Sequence, residues 1–209
     1  MKKSTPKNEQ SWQDADLTWD NPARVITGKS LERYFKLNDA LREFALLFEH
    51  ETNDRAIAIV GATFLDTLLE HILVNFLVDD AKEVQRLLDY DQPFGTYGNR
   101  IRGAYCLGLI DSVIRDDLRL VGKIRNRFAH DLGAAFELEP VRSWCRTLKW
   151  HEEFMFMKAP KDATARDIFQ VGVNTLVSHL NGIVSIARTE KRKVWDCFDK
   201  TDRESGSFS

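Results

Sequence analysis

The stretch "KIRNRFAHDLG", Lys123 to Gly133, places Arg125, Asn126 and His130 close together in the chain. That set suits chemistry on a phosphate ester. The His130 imidazole would exchange a proton with a ribose 2′-hydroxyl or with the leaving oxygen. The Arg125 guanidinium would stabilise charge on the crowded phosphate, and Asn126 would orient one or the other. Such a reaction, RNA cleavage, needs no metal. The same residues also have a structural reading. At about 100° per residue, Ile114, Leu118, Val121, Ile124 and Phe128 fall within one stripe, and Arg125 lands inside it. A guanidinium cannot shed its charge, so one turned toward a core needs a carboxylate partner. Asp66 and Glu70, four residues apart on an earlier long helix, lie on one face and are the natural suppliers. We expect Arg125 to meet one or both, as an ion pair that fixes helix register.

His130 stands near the helix end, just before Asp131 and Gly133. The negative end of the helix dipole favours a charged imidazole there. On an ideal helix Arg125 and His130 point about 140° apart. They converge only if the helix unwinds at its end or two copies meet.

The elements that must position these residues are read from apolar periodicity. Ser30 is expected to cap a helix through "LERYFKLNDALREFALLFEHE", with Leu41, Phe44 and Phe48 on its apolar side. Asn53 or Asp54 opens a second helix, residues 55–80, apolar almost all round and hence central. "AKEVQRLLDY" reads as a short helix, and Pro93, Gly95 and Gly98 as turn chemistry. Helical periodicity resumes over 99–110, where Gly103 and Ala104 allow close helix approach. Asp111 or Ser112 then caps the helix that carries the opening stretch. A short helix enters at Pro140, and "HEEFMFMKAPKD" reads as irregular. A last long helix covers 163–193, with Phe169, Val173, Leu176, Leu180, Ile183 and Ala187 as its seam. Without internal repeats or alternating strand runs, the expected fold is all-α, a single bundle of long antiparallel helices. We expect residues 1–28 to form a flexible leader, 29–195 the bundle and 196–209 a disordered tail.

Composition narrows the function classes. In 209 residues, 30 Lys+Arg against 32 Asp+Glu give a near-neutral chain, so no global basic field announces nucleic-acid binding. The polar start lacks a signal peptide's apolar core. The greasiest run, Ala56 to Leu65, is about half of what a membrane span needs. Cys106, Cys145 and Cys197 are far apart, which suits reduced thiols in a cytoplasm rather than a disulfide framework or a zinc site.

"PFGTYGNRIRGAYCLGLI" followed by "DDLRLVGKIRNRFAHDL" resembles the centre of the mannitol operon repressor (MltR) family, over about residues 53–132. The resemblance implies a helical regulator that acts as a transcriptional co-repressor through protein partners, phosphotransferase-system components among them. It does not imply direct reading of DNA. The Arg-Asn-x3-His ending is also similar to the HEPN superfamily of helical bundles. Many of those are metal-independent RNases that use Arg and His at a dimer interface. That second resemblance implies catalytic Arg125, Asn126 and His130, with Asp66 or Glu70 as the acidic residue of the earlier long helix.

Other candidates carry less. His71 beside Glu70 points away from it, so no metal site is expected there, and no cofactor motif occurs. Gly95 and Gly98 do not precede the Lys-Ser/Thr of a phosphate-cradling loop. His50, His151 and His179 lack clustered partners, and the basic end 187–193 reads as dipole complement and solubility. The segment after Pro140 reads as a lid or partner surface. The first-ranked reading is therefore a cytoplasmic regulatory protein, forming a homodimer and binding a protein partner. The second is a metal-independent endoribonuclease with RNA as its ligand. Membrane attachment is expected of neither.

Overall fold

The structure, a computed structural model, describes residues 37, 39–44, 48, 50–149 and 162–195. Among them six helices are complete and no strand occurs, so the all-α reading stands. The expected leader, the tail and "HEEFMFMKAP" lie outside the described residues, as does Ser30.

Five of the six complete helices start where a side chain satisfies orphan backbone donors. The Asn53 carboxamide accepts from the Ala56 amide and opens α1, Asp54–Phe76. Asp80 accepts from Lys82 and Glu83 and opens α2, Ala81–Leu88. Thr96 opens α3, Tyr97–Cys106, and Asp111 opens α4, Ser112–His130. Helix α5, Val141–Thr147, follows Pro140 without a side-chain cap. Thr164 and Asp167 form a reciprocal capping box at the head of α6, Ala165–Thr189.

Four ends fall short of the sequence expectation: α2 stops at Leu88 and α6 at Thr189, and α1 and α3 stop early for local reasons. The central helix stops at Phe76 because Leu77 is extended and Asp80 is taken as the cap of the next helix. Helix α3 stops at Cys106 because Gly108 adopts φ +74°. That left-handed residue lets the Leu109 amide donate back to the Ala104 carbonyl at 2.9 Å, a glycine-terminated helix end.

Helix α1 is the hub. It is long and apolar enough to cross a membrane by length and composition. Yet Ile57, Leu65, Leu68, Leu69 and Ile72 are fully covered by neighbouring helices. Helix α4 runs antiparallel to it, so that Arg55 at the start of α1 meets the end of α4. Helix α6 instead runs parallel to α1. Arg166 pairs with Asp54 at the start (3.0 Å), and the Arg192 amide donates to the Phe76 carbonyl at the finish (2.7 Å). Among the described residues, four intervening helices bring the chain back to the starting end of α1, which is what allows the parallel pairing. Phe136 lies between Phe128 of α4 and Phe169 of α6, with ring centroids 4.9 and 5.1 Å away. All six seam residues expected on the last helix are buried. Its basic end is tied down rather than free: Lys191 pairs with Asp79 at 2.9 Å and Arg192 lies over the Phe76 ring.

Candidate functional site

The candidate site lies on the α3–α4 hairpin where it packs against α1. Ile114, Leu118, Val121, Ile124 and Phe128 of α4 are buried, so the expected apolar stripe is the face toward α1. Tyr97 of α3 packs into the gap left by Gly122, where an added Cβ would come within 3.0 Å of the ring. Its hydroxyl donates to the Leu118 carbonyl at 3.0 Å. Burial pushes the Tyr97 phenol well above its ordinary value; nearby Asp66 adds to the rise and Arg125 opposes it. This buried ring therefore lies within the fields of residues from both α1 and α4.

The guanidinium that meets the two α1 carboxylates is that of Arg100, not of Arg125 as the sequence reading placed it. Arg100 donates to Asp66 at 2.9 Å, pairs with Glu70 at 3.0 Å, and donates through Nε to the Phe94 carbonyl at 3.0 Å. Its side chain is 11% exposed. The reason is the placement of α3. It lays Arg100 across successive turns of α1, while Arg125 leaves α4 at the edge of the stripe and stays half-buried near Tyr97. Tyr97, Arg100, Ile101 and Ala104 follow the spacing of one helix face. Arg100 is thus an arginine inside an apolar stripe, as Arg125 is.

Asn126 and His130 are exposed. The end of α4 is held by Arg55, which donates to the Phe128 carbonyl and, at 2.9 Å, to the Asp131 carbonyl. A cation from α1 thereby satisfies two otherwise open carbonyl groups and meets the negative end of the helix dipole. Arg127 adds an ion pair with Asp131 at 2.7 Å. The helix is regular through His130, so Arg125 and His130 leave its axis about 140° apart. Unwinding at the helix end, one of the two routes to convergence, is not found; convergence requires a second copy. No local sequence signal pointed to Arg55, because its partners lie more than seventy residues away.

The outward face of α4 is a basic ridge. Arg119, Lys123 and Arg127 are exposed at i, i+4 and i+8, with Asn126 and His130 beside them. Arg115, Arg119 and Lys149 all hold the Asp116 carboxyl below its usual range, the Arg115 hydrogen bond foremost. Among the described residues, no three His, Cys, Asp or Glu side chains are placed to hold a metal ion. His71 and His179 are half-buried on α1 and α6, and burial lowers the His179 imidazole pKa against an opposing effect of Asp111. The Cys145 thiol is buried, and burial together with Glu137 pushes its pKa up to about 12.

The fold is similar to a chain in the X-ray structure of the MtlR-HPr complex from Escherichia coli. The TM-score is 0.51 at 20% identity, and the match covers 71% of this chain and 98% of that one. The likeness is one of fold. No family model matches this chain. No curated protein sequence matches it either.

Proposed function

We propose that this protein is a regulator of the mannitol operon repressor type, a helical bundle that works by binding a protein partner. The observation that supports this most strongly is the fold likeness to MtlR in complex with HPr, spanning nearly all of that chain. The ionic architecture fits the same reading. Arg100, the arginine set most deeply among carboxylates, braces α3 against α1, and Arg55 closes the end of α4. These cations are engaged in holding helices together. The outward face of α4 leaves Arg119, Lys123 and Arg127 exposed, and contact with another molecule is open to them.

By this reading the protein is cytoplasmic, forms a homodimer and takes a phosphotransferase-system protein as partner. It influences transcription through that partner rather than by reading DNA. Arg125, Asn126 and His130 then serve recognition, with Asp66 and Glu70 as structural acids. The endoribonuclease alternative would use Arg125 and His130 across two copies, since one chain alone sets them apart on a regular helix.

The test is titration of the purified protein with HPr from the same cell, followed by calorimetry and light scattering. A saturable complex of defined stoichiometry is expected, with the free protein running at the mass of two chains. Absence of a complex in both methods, with HPr shown to be folded, would overturn the assignment of that partner.

A further inference from the structure

We infer that the outward ridge of α4 is the docking surface, and that it takes a protein whose contact face carries Asp and Glu side chains. This rests on the protein-partner reading above and names the chemistry of the partner. Between Arg115 and Asp131 five Lys or Arg residues stand against three Asp, in a chain of formal charge −2. One of the three, Asp117, is buried and accepts from the Lys149 amide, which takes it out of the surface balance. Asp116 and Asp131 sit at the two ends of the ridge, Asp116 paired with Arg115 and, at 3.6 Å, with Arg119, and Asp131 paired with Arg127; Arg119 and Arg127 nevertheless stay about half exposed. Among the described residues Lys123, at its middle, has no ion pair. Arg119, Lys123 and Arg127 thus present a line of positive charge about 12 Å long on one regular helix. Asn126 and His130 add hydrogen-bonding groups along its flank.

An array of carboxylates on a partner fits that line better than a nucleic-acid strand does. Single-stranded RNA binding combines basic grooves with aromatic platforms on which bases stack. Among the described residues the outward face of α4 carries no Phe, Tyr or Trp: Phe128 is in the core, and Tyr105 of α3, 38% exposed, has one ring face stacked with the Arg115 guanidinium, 4.4 Å from the ring centroid. A protein face with a short acidic row gains from the ridge without meeting the acidic turns around α2. Complementary charge of this kind sets encounter rate and register more than it sets raw affinity.

The experiment places a photocrosslinking amino acid at position 126 of the full chain in its own cell. A second sample carries it at position 90, where Tyr90 is 80% exposed on the turn after α2. Irradiation is followed by mass spectrometry of the adducts, with circular dichroism confirming each variant's fold. We expect a protein adduct at 126 whose crosslinked segment is flanked by Asp and Glu. Its yield should fall about tenfold or more with Lys123→Glu and Arg127→Glu together. Lys123→Gln with Arg127→Gln should give an intermediate loss, which separates charge from disturbed folding. Adduct formation that ignores these changes, or no adduct at 126, overturns the ridge as the docking surface. A protein adduct at 90 with none at 126 does so while leaving the regulatory reading intact. RNA crosslinked at 126 overturns both, and a second copy of this chain there makes the ridge a self-association face instead.

Discussion

Removing the Arg100 guanidinium should destabilise the bundle far more than removing the Arg125 guanidinium, although both arginines lie on helices that pack on α1. Arg100→Met keeps most of the aliphatic stem and deletes contacts to Asp66, Glu70 and the Phe94 carbonyl. Breaking a buried ion pair by deleting one partner costs about 3–5 kcal/mol. Here the stranded carboxylates are 32% and 40% exposed and can recover some hydration. The expected loss is therefore reduced to about 2–3 kcal/mol. Arg125 is half-buried and forms no ion pair with Asp66 or Glu70, so Arg125→Met should cost about 1 kcal/mol or less. Urea unfolding followed by circular dichroism reads the difference directly. With a slope of about 2 kcal/mol/M, Arg100→Met should lower the midpoint by about 1–1.5 M. A double-mutant cycle of Arg100→Met with Asp66→Asn isolates the pair, and a coupling above about 0.5 kcal/mol is expected. Equal losses for the two arginines, or a coupling indistinguishable from zero, would refute the assignment of the brace to Arg100.

Three further outcomes follow from local geometry. Gly95→Ala should destabilise by roughly 3 kcal/mol in the same unfolding assay, because its Cβ would sit 2.2 Å from the Asp89 and Tyr90 carbonyl oxygens; Gly98→Ala meets nothing within 4 Å and should be neutral or slightly stabilising. Iodoacetamide on the native protein should modify exposed Cys106 while sparing Cys145, read by peptide mass spectrometry, with Cys145 reacting only after unfolding. Stability should fall as pH rises above about 9, since an unfolded thiol ionises near 8.5 and a phenol near 10. Folded Cys145 and Tyr97 keep their protons to higher pH, so the unfolded chain releases protons first and is favoured. Tyr97→Phe should flatten that fall and cost about 1 kcal/mol at neutral pH through the lost bond to Leu118; an unchanged slope would contradict it.

Much of the fold was legible because it follows from local pattern. Cap residues at Asn53 and Asp111 and the seam from Phe169 to Ala187 depend on neighbours within a few positions. The hairpin end at Gly108 was missed because glycine reads the same within a helix and at its terminus until a tertiary turn uses its positive φ. The site was legible in its residue types but not in its pairings. Asp66 and Glu70 are legible as carboxylates that a core-facing arginine needs, but two arginines lie in apolar stripes, and only the register of α3 on α1 decides between them. Arg55 had no signal at all, since capping a helix from another element leaves no local spacing to read.

The most direct test of a binding role against a catalytic one is RNA cleavage with excess chelator, wild type beside His130→Ala, after circular dichroism shows both folded. Exposed His130 lies outside the packed core, so its loss leaves the fold intact. The account predicts no cleavage above buffer by either protein. Cleavage by the wild type that disappears in His130→Ala would contradict it, and would make the end of α4 an active site assembled from two copies.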